Sequence, residues 1–174
     1  MAQQITKTRL SFIEILLIVI GLPLALIGAS MSYTNWMAHT GPGSVLGIPS
    51  ISAQQIDNVL CKAKSPACGT GQQLYNEGWR DEIDANFALA VFHEGSDYGR
   101  LPCNQNAACI SFNKSWPASY RAWFDEIKGP DFVGSGLTTS SAIIAKLNPP
   151  NANQYAQTVN SDMATWESQK TQVS

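Results

Sequence analysis

The stretch IDANFALAVFHEGSDYGR, residues 83–100, decides how this chain is read. Asp84 offers a side-chain oxygen where a helix would begin, and Gly95 offers a stop. Between them every residue from Phe87 to Phe92 is apolar. A helix that is apolar all round is enclosed by protein, so the segment predicts a core helix ending at His93 or Glu94. Phe87, Val91 and Glu94 stand at i, i+4 and i+7 and share one face. A carboxyl is thereby expected where a buried helix emerges toward a cleft. Desolvation there favours its neutral form, and so does the negative end of the helix macrodipole. Cleavage of a glycosidic bond needs such an acid, still protonated near neutral pH. The plainer reading, a glutamate that simply reaches water at a helix end, stays open on these residues alone.

The flanks predict more helices. Ser52 and Gln55 form a capping box ahead of the apolar stripe Ile56, Val59 and Leu60. A turn over 65–71 precedes a short helix near Gln72–Glu77. Residues 100–114 read as loop; Ser115 then caps a helix with Pro117 in its first turn. That helix carries Trp116, Tyr120, Trp123, Phe124 and Ile127 on one face and stops at Gly129-Pro130. Thr138 or Thr139 caps another through Leu147, ended by NPP, and a last helix carries Tyr155, Val159 and Trp166. No alternating strand pattern appears, so the domain is expected to be mainly α.

Composition narrows the partners. Charged residues make up 14% of the 174 and the formal net charge is -2, with no basic stripe of the kind that nucleic acid requires. The N-terminus points outward from the cytoplasm. Lys7 and Arg9 precede an apolar run over 12–31, and no charge follows Glu14 until Asp57. The run lies between a signal-peptide core and a full span in length, and the basic residues place the N-terminus inside. Residues 1–32 are therefore expected as a cytoplasmic tip and a transmembrane or signal-anchor helix, with a cleaved signal near Gly28-Ala29-Ser30 as the alternative. Residues 33–50, rich in Gly, Pro and Ser, read as a flexible spacer, and 51–174 as the exported domain, membrane-bound or secreted.

Four cysteines agree with an oxidising compartment. Of three connectivities, the local pairs Cys61–Cys68 and Cys103–Cys109 are expected because each clips a loop. Zinc is disfavoured: neither pair has C-x-x-C spacing, and His39 and His93 offer no matching partners. No metal or organic cofactor is implied. His93 reads as a packed or capping histidine. Asn113-Lys114-Ser115 fits a glycosylation sequon, which matters only in a eukaryotic secretory pathway.

At the level of motifs, the helix ending in FHEGSDYG resembles the glucosaminidase branch of the lysozyme superfamily, with its apolar helix ending in His-Glu-Ser-x-Phe/Tyr-Gly. Gly95 stands where that family usually has Ser, and Ser96 follows it. SPACGTGQQLYNEG (65–78) is similar to the family's upstream Ser-Pro-x-x-Gly-x-Gly-x-x-Tyr. FNKSWPASYRAWFDEI, GLTTSSAIIAKLNPP and NQYAQTVNSDMATW resemble its later helices in order and spacing, so the likeness covers about 51–168. It implies a lysozyme-like fold acting on β-1,4-linked N-acetylglucosamine glycan, peptidoglycan or a related polymer, with Glu94 as general acid. Ser96, Tyr98, Trp116, Tyr120 and Tyr155 are the substrate-binding candidates, although aromatics at helical spacing are also the material of a core. A second carboxylate cannot be placed: Asp97 is close along the chain, and Asp125 and Glu126 sit on a helix face expected to meet solvent. A substrate-assisted route, a single-acid lytic transglycosylase route and a non-catalytic glycan-binding module are the alternatives.

Overall fold

The structure is a computed structural model and describes residues 43–103 and 109–170. The described residues are mainly helical, with three isolated bridges and no strand. α1 (Ala53–Lys62) starts on the expected capping box, Gln55 N donating to Ser52 Oγ at 3.2 Å and Ser52 N to Gln55 Oε1 at 3.0 Å. α2 (Gly71–Asp81) has no cap from its own Thr70. Asp57 of α1 supplies one from outside, its Oδ1 accepting from Gly69 N at 3.1 Å and Gly71 N at 2.7 Å. Only a glycine fits at 71, because a Cβ there would lie 2.5 Å from the Ala53 carbonyl oxygen. This cap draws α1 against α2, which runs to Asp81, past the short helix read from the sequence.

α3 (Ala85–Ser96) is the predicted core helix: Phe87 through Phe92 are completely buried. Asp84 caps it, with Oδ1 accepting from Asn86 N and from Ser50 N, both at 2.9 Å. Gly95 does not end it. The Ser96 hydroxyl donates to Phe92 O at 3.1 Å, Asp97 N to His93 O at 2.7 Å and Tyr98 N to Phe92 O at 3.0 Å. These bonds carry the helix to Ser96, and Asp97 takes the left-handed position that closes it. α4 (Trp116–Lys128) is capped by Ser115, and α5 (Ser140–Leu147) by Thr139. α6 (Ala152–Lys170) runs along both α3 and α5, while α2 packs on α3 and α4.

The stretch expected as a spacer is in part a structural segment. Val45 is completely buried, its N–H donating to Thr138 O at 2.9 Å and its carbonyl accepting from Asp84 N at 2.7 Å. Gly47 N donates to Glu82 O at 2.8 Å. The domain therefore includes residues from Gly43 onward, since the partners of this backbone come from distant loops that composition does not reveal. Residues 1–42, with the expected membrane segment, lie outside the described residues. Among the described ones no helix is long and apolar enough to cross a membrane. Disulfides join Cys61 to Cys68 and Cys103 to Cys109, the expected local pairing.

Candidate functional site

The end of α3 gathers most of the candidate residues. Glu94 lies in the last turn and is exposed. The burial expected for its carboxyl is not found: in the final turn Ser96 is buried and His93 and Gly95 are half-buried, while the Glu94 position faces outward. Tyr155, in the first turns of α6, lies within electrostatic reach of it. That ring is buried, and its hydroxyl donates to Val91 O at 3.2 Å. Burial, and then the neighbouring Glu94 carboxylate, raise the Tyr155 hydroxyl above the usual tyrosine range. The fold thus brings together a carboxylate and a tyrosine that are far apart in the chain.

His93 fastens the same turn to α6. Its Nδ1 lies 2.6 Å from Asp162 Oδ2, and its ring stacks on Tyr98 with centroids 4.6 Å apart. Tyr98 is itself buried; it lines a hollow of about 530 Å³ between α1 and α6, together with Trp166, Asn58 and Lys62. Ser96 is buried, and its hydroxyl also accepts from Gly99 N at 3.0 Å, so it shapes the turn after α3 and offers nothing to a ligand. Tyr120 is a correction to the substrate-binding set. It is completely enclosed, with its hydroxyl 2.8 Å from Thr70 Oγ1, because its face of α4 is the one that packs on the α2 side. Burial raises that hydroxyl to about 12, against the lowering effect of the Thr70 bond.

Trp116 forms a wall. Its ring lies 5.1 Å from that of Phe92 and bounds a hollow of about 340 Å³ with residues 99–103 and 110–112. The chain enters this hollow at Gly99, just past the close of α3. Two of its lining residues, Leu101 and Phe112, are 60% and 61% exposed. Sequence reasoning passed over Phe112, which stands in a segment read as loop. The available signal was a large apolar residue with no periodic partner three positions before a helix cap.

The carboxylates considered as second acids are otherwise engaged or remote in role. Asp97 pairs with Arg100 at 2.5 Å, and Asp125 with Arg80 at 2.6 Å. Glu126 is exposed on α4. A hollow of about 700 Å³ lies between residues 43–50, α5 and α6 and carries Asp84 and Glu167. Asp84 is committed there as the cap of α3, and burial raises its pKa despite the Ser50 and Asn86 backbone bonds. Among the described residues no group of three His, Cys, Asp or Glu side chains is placed to hold a metal ion. No protein-family model, curated protein or solved structure matches this chain.

Proposed function

We propose that the domain is an extracytoplasmic, lysozyme-like glycosidase that cleaves β-1,4-linked N-acetylglucosamine-containing glycan such as peptidoglycan, with Glu94 as general acid. The observation that supports this most is the placement of Glu94: an exposed carboxyl on the last turn of a helix buried from Ala85 to Phe92, within electrostatic reach of the Tyr155 hydroxyl. A rigid helix holds the acid in one place while leaving it open to a polymer, which a long substrate needs. A bound glycan would supply the desolvation that the free protein lacks around this carboxyl. With Asp97 and Asp125 spent on arginines, a single-acid route fits this chain best. In it the 2-acetamido group, or the sugar's own 6-hydroxyl in a lytic transglycosylase, attacks the anomeric carbon while Glu94 protonates the leaving oxygen.

The exposure of Glu94 also favours a second reading, a glycan-binding module without turnover. The N-terminal segment would tether either to the membrane. Purified peptidoglycan incubated with the full chain and with Glu94→Gln, followed by mass spectrometry, separates the readings. New reducing N-acetylglucosamine ends made only by the wild type support hydrolysis, and anhydro ends support the transglycosylase. A wild type that sediments with the polymer and releases no fragments is a binder.

A further inference from the structure

We propose that the hollow of about 530 Å³ between α1 and α6 binds the end of an extended peptide, with its terminal carboxylate on Lys62 and an apolar last side chain against Trp166 and Tyr98. Glu94 does not line this hollow, and the inference does not depend on the glycosidase reading. Helical register sets both long walls. On α1, Gln55, Asn58, Val59 and Lys62 stand at i, i+3, i+4 and i+7, so they share one face. On α6, Trp166 and Gln169 stand at i and i+3. Gln55 Nε2 reaches Trp166 O at 3.5 Å and ties the two walls together. Asn58 and Lys62 are exposed, so a ligand enters from solvent on the α1 side.

The aromatic part is already in place before anything binds. Trp166 and Tyr98 are both buried residues, fixed by their neighbours. Tyr98 stacks on His93 with centroids 4.6 Å apart, and the same imidazole lies 6.5 Å from the Trp166 ring. His93 is held to α6 in turn, its Nδ1 standing 2.6 Å from Asp162 Oδ2. The Tyr98 backbone is also tied down, its carbonyl accepting from Ser65 Oγ at 2.7 Å. Little side-chain freedom remains to be lost on binding.

Charge and size choose the occupant. The lining holds no carboxylate, and its one charged group is Lys62. Among the described residues no ion pair takes up that ammonium. The two carboxylates whose charge reaches Tyr98, Asp162 and Asp97, are engaged by His93 and Arg100. An anionic group therefore finds one unspent cation and no opposing acid in the lining. The polar remainder is carboxamide, from Gln55, Asn58 and Gln169. A carboxamide both donates and accepts, so it pairs with either side of a peptide group. Val59 and Ala63 extend the apolar part. One anion, a run of amides and an apolar side chain together describe a peptide terminus, whereas a neutral sugar leaves the ammonium unengaged. The volume of about 530 Å³ lies within the range of about 300–1,000 Å³ for small-ligand sites, which admits a chain end and no folded partner.

The test is titration of the full chain in detergent with acetyl-Ala-Ala-Leu as the free acid and as its C-terminal amide. Binding is followed by the NMR resonances of Val59, Ala63, Gln169 and the Trp166 indole, which detect weak association and place it. Wild type is expected to hold the free acid about fivefold more tightly than the amide at low ionic strength, and by less as salt rises. Lys62→Gln should abolish that preference. Asn58→Asp should reduce it, since a carboxylate one turn before Lys62 competes for the ammonium. Both positions are exposed on α1, so the thermal melts stay unchanged. Equal binding of acid and amide by wild type, or a preference that survives in Lys62→Gln, overturns the carboxylate assignment. Shifts of the same resonances by N-acetylglucosamine oligomers and not by the peptides overturn the ligand class. No shift at millimolar peptide overturns the site itself.

Discussion

Gly99→Ala tests the closest packing at the end of α3. The added Cβ would lie 2.4 Å from Trp116 Cη2, 2.8 Å from its Cζ2 and 3.1 Å from Phe92 Cζ. Neither ring can withdraw easily: Trp116 packs on Tyr120 as well, and Phe92 is completely buried. Forcing such a contact costs about 1–3 kcal/mol. The residue also has φ +78°, a left-handed position where a side chain costs a net of about 1 kcal/mol after the gain from stiffening the unfolded chain. Together the substitution should remove about 2–4 kcal/mol, and about 10 °C of thermal midpoint for a domain of this size. Gly136→Ala is the internal control, with φ +95° and nothing within 4 Å of its new Cβ. Denaturant unfolding of both variants isolates the steric part as a difference of about 1–3 kcal/mol. Equal losses would refute the argument that Trp116 closes on Gly99.

Two further outcomes can be checked on the same material. Tyr120→Phe removes the 2.8 Å bond to Thr70 Oγ1, which keeps its 2.6 Å bond to Ala67 O, and should cost about 1 kcal/mol in denaturant unfolding with no change in glycan binding, as befits a core residue. Asp81 supplies a pH signature. Burial opposes its ionisation, but hydrogen bonds and charge from Arg80 and Lys128 together outweigh this and hold its carboxyl below the usual range. Its contribution to stability is therefore present above the ordinary aspartate value of about 3.9 and is lost as pH falls through the lower folded value. Unfolding midpoints of wild type should fall more steeply over that acid window than those of Asp81→Asn; parallel curves would contradict the assignment.

Much of the helical order was legible because it rests on local chemistry. The Ser52–Gln55 box, the Asp84, Ser115 and Thr139 caps and the unbroken apolar run of α3 all act within a few residues, so sequence alone states them. The candidate acid was legible for the same reason: it sits at a fixed register on a helix whose burial its own residues announce.

What failed to show were features made by distant partners. Val45 looked like spacer until Thr138 and Asp84 supplied its backbone bonds, and the cap of α2 comes from Asp57 on another helix. Helical spacing gave Trp116 and Tyr120 the same face, yet one borders a hollow and the other is sealed against Thr70. The sequence by itself determined a mainly α domain around one apolar helix that ends in Glu94. Only tertiary structure decided that this carboxyl is exposed, that the Tyr155 hydroxyl feels its charge and that Phe112 is left uncovered. Periodicity records which way a side chain points along its own element, whereas burial depends on what other elements bring to meet it.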